Sequence, residues 1–367
     1  MAKQKRILAL LGSAAIFMAA CTGGGATPSP SQPASVAPPS AEPSGSASAS
    51  PSGDPTLPEP EKTSIRIGLS VTETSQFAAT LADLEGIYQK NGIDTVELTV
   101  FEGDGRVMQA LQAGQLDIGF GGVSAYVTSQ TTDVPVVALA VNAKILSDEL
   151  VSTADVTNAD QLRGKCVAVS TYGGTSHGAV ILSLEALGLT PEDVVITEVG
   201  GQSARIAALQ GGACAAAPVD VSRHDEMEGL GFNFLVNLKE EALPWGRSGL
   251  GVTEEWLAEN PNTALVVAAS VLEAQNLMWT DPETAAEHYA EFTQDTPENA
   301  EALIADFQEI GNRRMMWEDE AFENPKRVLA TVNPEIADVP VTDAFDRSVL
   351  EQLESMGYYD FLEIPEE

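Results

Sequence analysis

The side chains best suited to nucleophilic or metal chemistry are three cysteines, Cys21, Cys166 and Cys214, and three histidines, His177, His224 and His288. They are scattered. No CxxC or HExxH spacing gathers two of them around a metal ion. Ser176 and His177 are neighbours in the chain, a spacing that rarely lets an imidazole take the proton of the hydroxyl. A GxSxG elbow, a P-loop and a GxGxxG turn after a strand are all missing from the sequence. The chain therefore reads as a binder and not an enzyme, with no cofactor and no metal expected.

The chemistry left is that of holding a small molecule, and four short stretches offer it. They are Thr72, Thr74, Ser75, Gln76 and Phe77; Gly121, Gly122 and Ser124; Tyr172, Gly174, Thr175, Ser176 and His177; and Pro218 to Asp220. Each follows a strand-like run and opens a helix-like one. Helix N-termini at the carboxyl ends of strands point backbone N–H groups into a crevice, glycines let the backbone approach closely, and hydroxyls add donors. Thr74, Ser75 and Ser176 serve equally well as helix caps. Phe77, Tyr126 and Tyr172 could wall a small pocket, although Phe77 and Tyr126 fit a core as well. His177 could donate to a ligand oxygen or stand by at the surface.

These stretches need a frame. From Ile65 the chain alternates strand-like and helix-like segments, which implies parallel sheets covered on both faces. The expected strands are Ile65–Ser70, Val96–Phe101, Leu116–Phe120, Pro135–Val141, Cys166–Ser170, Val194–Val199, Ala213–Ala217, Phe232–Val236 and Gly249–Val252. The remainder is mainly helical, including Asn262–Trp279, Glu298–Ile310 and Thr342–Met356. Ala110-Leu111-Gln112-Ala113-Gly114 matches Ala208-Leu209-Gln210-Gly211-Gly212 at an offset of 98, and Val123-Ser124 matches Val221-Ser222 at the same offset. Either two similar lobes or the ordinary likeness of helix–Gly–strand units accounts for this.

The N-terminus has a different character. Lys3, Lys5 and Arg6 precede an apolar run, Ile7 to Ala20, which is shorter than the ~20 residues that span a bilayer but suits a secretory signal core. Met18-Ala19-Ala20-Cys21 resembles a bacterial lipobox, which implies a signal peptide over 1–20 and lipid on Cys21. Residues 21–62 are rich in Ser, Pro, Ala and Gly and lack aromatic residues, the composition of a disordered tether. The whole chain carries a net charge of -35, which repels nucleic acid and anionic headgroups. The only membrane contact expected is through the lipid.

Several pieces together resemble the substrate-binding proteins of ABC importers, in the nitrate/sulfonate/taurine family with its pyrimidine-precursor relatives. Val107 to Gly119 resembles the family's "AL..G.lDig" signature, and Asp160 to Lys165 resembles its "dLkGk.vav". Ala207 to Gly212 repeats the first signature, with alanine near Ala215 where an acid is expected. Val349 to Gly357 resembles the C-terminal helix. The resemblance implies an α/β fold of the type II periplasmic-binding kind: two Rossmann-like lobes joined by two crossing strands, with a helical C-terminal region. Lobe I would take 63–145 and 245–367, and lobe II 146–244.

On this resemblance the chain is a monomeric, exported lipoprotein at the outer face of the cytoplasmic membrane, or else a periplasmic lipoprotein. It delivers a small polar solute to an ABC permease with its ATPase. The crossings would fall near Lys144–Thr153 and Leu243–Gly251. Asn142, ending the last strand of lobe I, would contact ligand, and Arg247 would be the best-placed cation for an anionic group. In this topology the strands opened by Cys166 and Cys214 are parallel neighbours, so a disulfide between them is expected. A sulfonate- or nitrate-like anion is slightly favoured, yet Glu73, Asp104 and Asp220 near the same mouth suit an amine or aminopyrimidine. A sensory or adhesive lipoprotein is the reading from another class, and an enzyme on this fold comes last.

Overall fold

The computed structural model describes residues 55–366. The signal peptide, Cys21 and most of the linker lie outside the described residues.

Ten strands are present: β1 (Ser64–Leu69), β2 (Thr95–Val100), β3 (Ile118–Gly121), β4 (Val136–Ile145), β5 (Asp148–Ser152), β6 (Cys166–Val169), β7 (Val195–Glu198), β8 (Ala216–Asp220), β9 (Asn233–Asn237) and β10 (Pro244–Thr253). They form two five-stranded sheets, in the orders β2-β1-β3-β10-β4 and β7-β6-β8-β5-β9. The orders are the same if β10 is matched with β5 and β4 with β9. The first three strands of each sheet run parallel, as Ser64 opposite Thr95 and Cys166 opposite Val195 show. β10 and β5 run antiparallel to both their neighbours. The sheets are thus mixed, not parallel throughout. The chain leaves the first sheet after Ile145 and rejoins it at Pro244, and each crossing brings a strand in from the opposite direction. That gives two lobes.

The helix Asp104–Gln112 recurs as Gln202–Gln210, keeping the offset seen in the sequence. Both pack behind the third strand of their sheet. Prolines 261, 282 and 297 each open a helix at the first position, where a missing N–H costs nothing and a fixed φ helps. The helix Pro261–Thr280 is buried along most of its length and, with Trp245, anchors the large core of the first lobe. The second sheet carries a smaller apolar cluster on each face.

Four expectations need correction. β8 lies at Ala216–Asp220 and not Ala213–Ala217, because Ala213 and Cys214 still donate to Ala208 O at the helix end. β5, absent from the strands expected, lies within the stretch read as the first crossing, and its five residues are all buried. The expected helix Thr342–Met356 is broken: Phe345 extends to bridge Ala138 on β4, and the helix begins at Ser348. The linker does not run free to residue 62. Leu57 packs on the core, and the Glu61 carboxylate accepts from the N–H groups of Asn262 (3.0 Å) and Thr263 (2.7 Å) at a helix start that lacks its own side-chain cap.

Candidate functional site

The carboxyl ends of β1 and β3 face those of β6 and β8, and the helices that follow aim their N-termini into the space between. Glycine makes the approach possible. A Cβ on Gly122 would lie 1.6 Å from Thr175 Oγ1 and 3.0 Å from Arg247 O, so backbone from one lobe touches side chain from the other. Gly105 N also donates across the gap to Thr171 Oγ1 (3.1 Å).

Asp104 ties the lobes most directly. One carboxylate oxygen accepts from Gly122 N (3.1 Å) in its own lobe, and the other from Thr175 N (2.7 Å) in the second lobe. Both donors open helices with no side-chain cap, so Asp104 fills the anion position that two helix N-termini create.

Arg247, on β10 where the chain crosses, is 7% exposed. Its guanidinium donates to Glu73 (2.7 Å), Asp220 and Ser147 Oγ (2.8 Å), and lies 3.9 Å from Asp148. These carboxylates hold the Arg247 pKa well above its usual value, against burial. Burial pushes Glu73 up to about 7 despite Arg247, and raises Asp148 as well. Burial also acts on Asp220, but Arg247 and hydrogen bonds from Ser147 and Ser222 outweigh it and hold Asp220 low. Arg205, lowered by burial, gives its Nε–H to Pro218 O (3.0 Å).

The cleft thus gathers Thr74, Ser75, Gln76, Thr175, Ser176, Asp220 and Arg247 around cavities of about 20 and 30 Å³. Gln76 and Ser176 do similar local work there. Gln76 Oε1 accepts from Ser70 N (2.9 Å) and Ser176 Oγ from Ser170 N (2.9 Å), each locking the corner after its first strand. Gly121, Gly122 and Gly174 supply close backbone around Asp104. Ser124 Oγ is buried without a hydrogen-bond partner.

Other candidates lie elsewhere. Phe77 is core, packed edge-on against Tyr289 at 5.0 Å. Tyr126 is also core; its hydroxyl donates to Gly249 O (2.7 Å) and pins β10. Asn142 turns away from the cleft and donates to Gln275 (2.7 Å). Thr72 is exposed and contributes its carbonyl to Tyr289 Oη (3.2 Å). Tyr172 and His177 line a separate, largely apolar cavity of about 420 Å³ against Leu329, Val332 and Ile336. His177 Nδ1 accepts from Gly173 N (3.0 Å), burial lowers its pKa to about 4, and Ser176 turns to Ser170. No Ser–His pair forms. Sequence reasoning overlooked Ser147, Asp148, Thr171 and Arg205; only the polar run Ser147-Asp148-Glu149 at the crossing hinted at the first two.

Cys166 and Cys214 are joined by a disulfide with Cα atoms 4.6 Å apart. Among the described residues no cluster of three His, Cys, Asp or Glu could hold a metal ion, and no helix is long and apolar enough to cross a membrane.

The fold is that of known binding proteins. The periplasmic nitrate-binding protein of Synechocystis PCC 6803 superposes with a TM-score of 0.63 at 16% identity, covering 84% of this chain and 91% of that one. The alkanesulfonate-binding protein of Xanthomonas axonopodis pv. citri superposes with a TM-score of 0.64 at 17% identity, covering 78% and 99%. The taurine-binding periplasmic protein of Escherichia coli (strain K12) is 25% identical over 215 residues. That stretch is 58% of this chain and spans 66% of the relative's length, just under two thirds. Residues 58–294 match the NMT1-like family, and the chain belongs to that family.

Proposed function

We propose that the chain is an extracytoplasmic solute-binding protein that captures a small polar organic molecule between its lobes and delivers it to an ABC permease. The observation that carries this reading is Asp104, whose carboxylate is shared by the N–H of Gly122 in one lobe and of Thr175 in the other. A polar site built from both lobes, with both crossings beside it, suits a hinged clamp that opens to admit its ligand. The lobes are taken as 63–145 with 245–367, and 146–244. The solute relatives named above bind nitrate, alkanesulfonate or taurine. Lipid on Cys21 would hold the protein outside the cytoplasmic membrane, and the Cys166–Cys214 disulfide suits that oxidising side.

Mass spectrometry of small molecules released from the freshly purified protein tests the reading. A solute in near-stoichiometric yield that raises Tm when added back is expected. Chemical turnover of that solute would contradict simple capture.

A further inference from the structure

Five carboxylates and three cations line the two small cavities of the cleft. Lys239 pairs with Glu309 (2.9 Å), outside the cavities, and Arg205 spends its Nε–H on Pro218 O. Arg247 pairs with Glu73 and Asp220 and lies 3.9 Å from Asp148, and the charge of Arg205 in the same lining acts on Glu73 and Asp148 without a hydrogen bond to either. The two cations leave one carboxylate oxygen unanswered. Asp148 is 4% exposed, and its Oδ2 is sealed with no hydrogen-bond donor among the described residues. Ser75 Oγ, in the lining of the same cavity, is also buried and unpartnered.

A buried carboxylate oxygen without a donor costs more than a neutral group in the same place. The missing partner is a hydrogen-bond donor, and a positively charged N–H group offsets the surplus of carboxylates as well. An anion finds the reverse. The paired N–H groups of Gly122 and Thr175, the natural seat for one, already hold Asp104, which is 6% exposed.

We infer, resting on the solute-binding reading, that the captured molecule carries a cationic nitrogen, a protonated amine or an amidinium, received by Asp148 and Glu73. The nitrogen donates to Asp148 Oδ2 and to the Glu73 carboxylate, and Ser75 Oγ adds a further acceptor. An anionic group elsewhere on the same molecule is compatible with this. Burial raises Asp148 and holds Glu73 up at about 7, so a bound cation favours the charged form of both and pulls the Glu73 proton off near neutral pH.

Calorimetry with the full soluble chain tests the inference with taurine, ethanolamine, methylguanidine and acetamidine set against ethanesulfonate and nitrate. Taurine and ethanesulfonate differ only in the ammonium. Binding of amine or amidine probes is expected, with heat that varies with buffer ionisation enthalpy. Asp148→Asn should weaken that binding by about 10–150-fold while leaving the probe-free Tm nearly unchanged. Ethanesulfonate or nitrate binding as tightly as the amine probes, with Asp148→Asn without effect, overturns the inference and leaves solute binding intact. If no probe binds, the solute released from the purified protein decides. A nitrogen cation supports the inference, and a purely anionic or neutral solute overturns it. No binding and no released solute overturn the solute-binding reading, and the inference with it.

Discussion

The two lobes fasten the same pair of strands in different ways. In the first, Asp117 precedes β3, and its carboxylate accepts from Arg66 N (3.0 Å), Arg66 Nε (2.9 Å) and Lys62 Nζ (2.6 Å). In the second, Ala215 takes its place: Asp117 N donates to Arg66 O (3.0 Å) just as Ala215 N donates to Cys166 O (2.8 Å). There Cys214 is bonded to Cys166 instead. Both fasteners sit at the amino ends of their strands, opposite the cleft. The acid of the repeated helix–Gly–strand signature is therefore a clasp and not a ligand contact. Where it is lost, a covalent clasp stands beside the vacated position.

The two clasps should fail under different conditions. Replacing both Cys166 and Cys214 by alanine frees a loop of sequence separation 48, and should cost about 3–4 kcal/mol in denaturant titration. Reductant should destabilise the parent protein but not this variant. Asp117→Asn should cost about 2–3 kcal/mol, in reductant and oxidant alike. Burial acts to raise the Asp117 pKa, but the Arg66 and Lys62 hydrogen bonds outweigh it and lower the value from 3.8 to about 2. The stability it contributes is complete above 3.8 and lost as pH falls towards 2. Acid titration of stability should lose its steepness in that window in Asp117→Asn and keep it in the cysteine variant.

The cleft ends of the lobes offer a smaller effect. Gly122→Ala places a methyl against Thr175 and the Arg247 carbonyl. It should cost about 1 kcal/mol in stability while weakening solute binding at least about tenfold, because closing brings the two lobes together at that point. Loss of stability with unchanged affinity would separate Gly122 from closure.

Much of the frame was legible because its signals are local. The strand-like runs, the prolines at helix starts and the constant offset between Asp104–Gln112 and Gln202–Gln210 all depend on neighbours in sequence. The cleft was less so. Phe77 and Tyr126 have the right type and place to wall a pocket, but which face of a helix meets the core is a tertiary matter. Asn142 turned towards Gln275, 133 residues away. Asp148 was hidden because a buried strand does not ordinarily begin Asp-Glu. The charges that allow it, Arg247 beside Asp148 and His224 at 2.8 Å from Glu149, come from distant segments.

Small-angle scattering tests most directly whether the lobes close on a solute. The protein would be stripped by unfolding with its disulfide intact, refolded, and measured before and after the extracted solute is restored. Contraction in the parent protein, lost in Asp148→Ala, is the expected result. Identical scattering with and without solute, at concentrations that saturate binding, would contradict the clamp.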